Sequence, residues 1–192
     1  MPYYKLTDKN MQTYLGFQWK LNKWKKVDGQ ADTLCNYHWL HCYNDPMLAL
    51  LLNPIHAGVK NPRIFRINVR GKKLSDCGLK FGFTQMRLVE EVSLKVTMNQ
   101  RIAFGILCAK EVYSDKEWNY WADNWLSGKD RSVIAASRAA TCHRIFSSSS
   151  YAAYAATATA AYADDAADAI AYAAFATELD LVKTANKVRK DF

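Results

Sequence analysis

Through the first half of the chain, apolar and polar residues alternate in short runs. PYYKL, GFQWKL, YHWLHCY, RIFRINVR and RLVEEVSLKV are separated by turn-forming pieces, KNM, VDGQAD, NPIHAGVKNP and RGKKLSDCG. A period of two marks a half-buried strand, so residues 1–96 read as a mostly antiparallel sheet. In RIFRINVR that period puts Phe65, Ile67 and Val69 on one face and Arg66, Asn68 and Arg70 on the other. One short helix interrupts the strands. DPMLALLLNP offers Asp45 as N-cap and Pro46 as first helical residue, with Asn53-Pro54 as its stop.

In the second half the period changes to that of a helix. Thr97 with Gln100 and Ser114 with Glu117 have capping-box spacing, and Trp118, Trp121 and Trp125 recur at i, i+3 and i+7. Ser127-Gly128 ends that helix, Asp130 is placed to cap the next, and the run Ser147 to Ser150 gives a turn or cap before the segment that follows. Residues 151–176, YAAYAATATAAYADDAADAIAYAAFA, hold 15 alanines and no Gly or Pro, which predicts one long helix continued by ELDLVKTANKVRKDF. On such a helix Tyr151, Tyr154, Tyr162, Tyr172 and Leu179 fall within an arc of roughly 100°. The arc either packs against helices that approach closely over alanine or forms a tyrosine-lined binding face. The expected fold class is α+β: a sheet domain over 1–96, then a bundle of about four helices over 97–192 that ends in the long alanine-rich helix.

Composition adds where this organisation is charged. The 192 residues carry a net charge of +8. Met1 to Val96 contain 15 Lys+Arg against 7 Asp+Glu, whereas Thr97 to Phe192 contain 11 of each. The whole excess sits in the sheet half, which favours an acidic partner there, either nucleic acid, a nucleotide or an acidic protein surface. Five cysteines at irregular spacing fit reduced thiols. No run of about twenty apolar residues occurs, and MPYYKLTDKN lacks the regions of a signal peptide. The expectation is a cytoplasmic chain with no membrane association.

Candidate chemistry is sparse. Cys35, His38, His41 and Cys42 form C-x2-H-x2-H-C, but on a strand His38 and Cys42 point away from His41, so no metal site is expected. Cys142 and His143 diverge by about 100° on a helix. Phosphate-loop, nucleophile-elbow, zinc-protease and dinucleotide motifs are missing, and Glu90-Glu91 reads as surface charge. No catalytic residue and no cofactor is therefore assigned. The binding candidates are Arg66 and Arg70 on one strand face, Lys72 and Lys73 just beyond, and Tyr151, Tyr154, Tyr162 and Asp165 on the alanine-rich helix. Of the acids Asp164, Asp165 and Asp168, Asp165 falls inside the tyrosine arc, where it either pairs with Arg138 or Arg144 or marks an exposed arc.

The order Gly16-Phe17-Gln18, then Cys35-x2-His38-Trp39-x-His41-Cys42-x2-Asp45-Pro46, then a short helix and RIFRINVRG, resembles a group of uncharacterised small bacteriophage proteins. Those proteins have a Gly-Phe-Gln element and a Phe-His-x-Cys-x2-Pro motif. Here Trp39-Leu40-His41 stands where that group has glycine, phenylalanine and histidine. The alanine and tyrosine segment is similar to C-terminal segments of phage accessory proteins. The resemblance implies a non-enzymatic phage-encoded binding protein in the host cytoplasm. It would be a host-takeover or counter-defence inhibitor of the anti-CRISPR kind that masks a bacterial immune complex, with a host protein or ribonucleoprotein as partner. Two other classes stay open. The order YHWLHCY, PMLALLL, RIFRINVR resembles the middle of ADP-ribosyltransferase folds, which use NAD, with His38, Arg66 and Glu91 as stand-ins for the site. The third class is a basic module that binds nucleic acid or sequesters a nucleotide.

Overall fold

The computed structural model describes residues 2–141, 147–162 and 166–192. The chain divides into two units, Met1–Lys95 and Val96–Phe192, and their antiparallel sheet followed by helices makes the fold α+β.

In the first unit the strands are β1 (Tyr3–Thr7), β2 (Gln12–Thr13), β3 (Phe17–Gln18), β4 (Lys25–Lys26), β5 (Leu40–Cys42), β6 (Arg63–Asp76) and β7 (Lys80–Val92). The order β1-β6-β7-β4 is antiparallel throughout, and β5 also pairs with β7. Just past β5, Tyr43 exchanges both backbone hydrogen bonds with Tyr4 of β1, at 2.8 and 2.9 Å. This single bridge brings β1 beside the end of β5, so the sheet curls round toward its own edge. Trp19, Leu40, Cys42, Phe65, Ile67, Phe81, Phe83, Met86 and Leu88 form its core. Phe65 and Ile67 are buried as their alternation predicts.

Helix α1 (Pro46–Leu51) packs on β1. Its N-cap Asp45 accepts from the Met47 and Leu48 N–H groups, at 2.8 and 3.3 Å. A second short helix, α2 (Asn53–His56), follows where Asn53-Pro54 suggested a stop, because proline is tolerated in the first turn of a new helix. YHWLHCY supplies only the three residues of β5. Most of RGKKLSDCG continues β6, and the turn is confined to its end, where Cys77 (φ 45°) and Gly78 (φ 74°) carry the positive φ that a tight hairpin turn requires. A register shift between Arg70 and Lys73, centred on Gly71 (φ 86°), lets β6 run through. A Cβ on Gly71 would lie 2.1 Å from Thr84 Oγ1.

The second unit contains α3 (Met98–Lys110), α4 (Lys116–Leu126), α5 (Val133–Thr141), α6 (Ser148–Tyr162), α7 (Ala166–Ala176) and α8 (Leu181–Asp191). Thr97 and Gln100 make both bonds of the capping box on α3. Elsewhere the caps shift. Asp115, not Ser114, accepts from the Trp118 N–H (2.8 Å), and Ser132, not Asp130, accepts from the Ala135 N–H (3.2 Å). Trp118, Trp121 and Trp125 are all buried.

The alanine-rich segment is not one helix. On a single helix Tyr151 and Tyr172 would be roughly 30 Å apart, yet their rings stack with centroids at 5.1 Å because α6 and α7 pack side by side. The buried residues of α6 include Ser150, Ala152, Ala153, Ala155, Ala156, Thr157 and Thr159, and the threonine hydroxyls bond back to carbonyls one turn earlier. Small side chains let the two backbones approach, and this favours a pair of helices over one solvated rod. The tail starts afresh at α8, with Asp180 accepting from the Lys183 N–H at 2.9 Å. The described residues thus contain six helices after the sheet instead of about four.

Candidate functional site

A group of cations with no carboxylate partner among the described residues lies along the middle of β7. The segment Lys20–Val27 follows that strand's edge. Leu21 bridges Leu88, the Asn22 N–H donates to the Leu88 carbonyl (2.8 Å), Lys25 and Lys26 pair with Met86 and Gln85, and the Val27 N–H reaches the Thr84 carbonyl (2.9 Å). KLNKWKK thereby brings four lysines and Trp24 beside β7. Gln85 and Arg87 stand two apart and share a face of β7, opposite Arg70 and Asn68 of β6.

On this face the Arg70 guanidinium lies 3.9 Å from the centre of the Trp24 ring, and that of Arg87 lies 5.3 Å away. Neutral side chains hold both cations. Arg70 Nε donates to Gln85 Oε1 at 2.7 Å, and the Asn68 amide, with its oxygen turned toward Arg87, accepts from Nε and Nη2 at 3.3 and 2.9 Å. Among the described residues neither arginine meets a carboxylate.

Arg66 and Arg63 differ. Arg66 Nε pairs with Glu90 (2.7 Å), and Arg63 forks onto Glu91 (2.8 and 2.6 Å). Each arginine's hydrogen bond holds its partner carboxyl below the usual range. Arg66 is thus neutralised in place. Nor do the four basic residues expected to act together form one cluster. Lys72 is exposed, with its N–H donating to Thr84 Oγ1 at 3.1 Å, while Lys73 lies over the rings of Phe81 (4.7 Å) and Tyr3 (5.8 Å). A register shift between Arg66 and Ile67 separates Arg66 from Arg70, and a second between Arg70 and Lys73 separates Arg70 from the lysines beyond it. Trp24, Lys26 and Arg87 were not singled out from the sequence, although four lysines around a tryptophan in seven residues are a readable basic-aromatic signal.

The other titratable residues of this unit have other duties. Lys5 Nζ donates to the His41 carbonyl (2.7 Å) and stands over Trp19, and burial pushes its pKa down to about 8. Burial holds His41 and His56 at about 4 and pushes the Cys42 thiol up to about 12. At neutral pH a protonated thiol is a poor nucleophile. His41 Nε2 meets the Leu34 carbonyl, and His38 Nδ1 meets Asp28 at 2.6 Å. His38, Arg66 and Glu91, the stand-ins for a transferase site, are each held by a different partner. Among the described residues no group of three His, Cys, Asp or Glu side chains could hold a metal ion, and Cys35, Cys42, Cys77 and Cys108 are free thiols.

The tyrosine arc is split between helices. Tyr151, Tyr154 and Tyr172 are 44%, 42% and 37% exposed, so alanine, not tyrosine, forms the packed face. Tyr162 closes α6, and its side chain is not among those described. Asp164, Asp165, Cys142, His143 and Arg144 lie outside the described residues. Leu179 stands between α7 and α8.

A family model described as Domain of unknown function (DUF7666) matches residues 1–100, more than half of the chain. The chain belongs to this family. No curated protein and no solved structure gives a significant match. The DUF7666 segment contains the whole sheet, Trp24 with its two arginines, and only the start of α3. No helix among the described residues is long and apolar enough to cross a membrane.

Proposed function

We propose that this DUF7666 protein is a non-enzymatic binding protein that holds an acidic partner on the cationic face around Trp24. The observation that carries the reading is the contrast between the arginines. Arg63 and Arg66 are neutralised by Glu91 and Glu90, whereas Arg70 and Arg87 are fixed by neutral groups and keep their charge available. A cation held in place without a counter-ion suits an incoming phosphate or carboxylate, since little side-chain freedom remains to be lost. The burial of Lys5 and Cys42 and the half-buried state of His41 support binding over catalysis. In the form implied by the phage resemblance, this face would cover a bacterial immune ribonucleoprotein in the host cytoplasm.

Retention on a heparin column tests the reading. Arg70→Glu with Arg87→Glu should elute at much lower salt than the wild type, with an unchanged melting temperature. Lys187→Glu with Lys190→Glu, at exposed positions of α8, should shift elution only slightly. Equal shifts for the two double variants would mean that net charge alone governs retention, and the proposed face would be wrong.

A further inference from the structure

Resting on that reading, we propose that the occupant of the face is single-stranded nucleic acid, with one unpaired base stacked on the Arg70–Trp24 pair and the phosphates following the lysines of 20–26. Three features favour this over an acidic protein. The first is planarity. A guanidinium 3.9 Å from the indole centre, tethered through Nε to Gln85, presents a flat outer surface on which a base can stack.

The second is the spacing of charge. Lys20, Lys23, Lys25 and Lys26 occur along one sheet edge, and among the described residues none is in an ion pair. Closely spaced cations beside an aromatic ring, of which Lys25 lies over Phe17 at 5.2 Å and the other three are exposed, suit a polyanion that repeats its charge at every unit. Third, the unit has no helix to read a duplex. The interior of α1 is buried apart from its first residue, and α2 has four residues. Stacking on the face requires bases free of a pairing partner, so a duplex should bind less tightly than a single strand.

Fluorescence anisotropy with the full chain tests this, using labelled oligo-uridine, oligo-thymidine and a duplex of about 20 nucleotides each, together with a polyglutamate peptide. Either single strand should bind, with a log–log salt slope of up to about −4 for six cations. Arg70→Glu with Arg87→Glu should weaken binding at least tenfold and flatten that slope by about 1 or more. Trp24→Ala should weaken it about 5- to 100-fold while leaving the slope unchanged, a separation that a general loss of structure would not produce. If Trp24→Ala does not fold, Trp24→Phe decides, since a retained ring should keep affinity within about threefold. Equal affinity for duplex, or a folded Trp24→Ala variant that binds like the wild type, overturns the inference. Arginine-dependent binding of polyglutamate without oligonucleotide binding would overturn it too, yet leave the broader acidic-partner reading standing. Loss of that reading would show instead on the heparin column.

Discussion

Lys5 is the residue whose environment conflicts most with its chemistry. Its ammonium is enclosed by the strands with a carbonyl and a tryptophan face as neighbours, and burial lowers its pKa from 10.5 to about 8. Between those values the unfolded chain binds more protons than the folded one, so stability rises with pH across the window. Below about pH 8 the full penalty applies, about 3 kcal/mol at about 1.4 kcal/mol per pH unit. Lys5→Met should therefore stabilise the protein by about 1–3 kcal/mol at neutral pH. Its advantage over the wild type should shrink as pH approaches 10.5, because the wild-type ammonium then discharges in both states. Urea titrations of the two proteins across that range give the test, and a pH-independent difference would show that Lys5 is not desolvated. His41 and His56 act in the acid range. Both are held at about 4, mainly by burial, so their contribution is complete above the unfolded value of 6.5 and is lost as pH falls toward 4.

At the scale of elements, two features decide which side chains meet. The first is the irregularity in β6. Gly71→Ala combines an unfavourable positive φ with a clash against buried Thr84, and should cost about 1–3 kcal/mol. It should also weaken polyanion binding, because the segment carrying Arg70 would shift; denaturant unfolding and heparin retention measure the two effects. The second feature is the tryptophan stripe of α4. Truncating Trp121 to alanine should cost about 3–5 kcal/mol, read from chemical unfolding. Phenylalanine should separate the tryptophans further. Trp118 Nε1 donates to the Ala153 carbonyl (3.2 Å), whereas Trp121 Nε1 is buried with no partner among the described residues. Trp118→Phe should thus lower the melting temperature more than Trp121→Phe, since only the first breaks a hydrogen bond. The reverse order would mean that Trp121 makes a bond through water.

For the whole molecule, each unit has its own core, so residues 1–95 produced alone should give a dispersed amide spectrum and retain the heparin-binding face. A collapsed spectrum would show that this unit depends on the helical one. The α+β order, the β6 alternation of Phe65 and Ile67, the Asp45 and Thr97 caps and the buried tryptophans were legible in the sequence, because each depends on residues within a turn or two of one another. The charge bias toward the sheet half was legible for a similar reason, since it is a sum that no folding step alters. The tertiary structure alone decided which cations keep their charge. Arg66 and Arg70 look alike in RIFRINVR, but their partners come from β7, where Glu90 meets one and Gln85 the other. It also placed Trp24 beside two arginines 46 and 63 positions away in sequence, and folded the alanine-rich segment back on itself. Helix propensity favours helix in either arrangement, so only packing of one alanine face on another could choose between a rod and a pair.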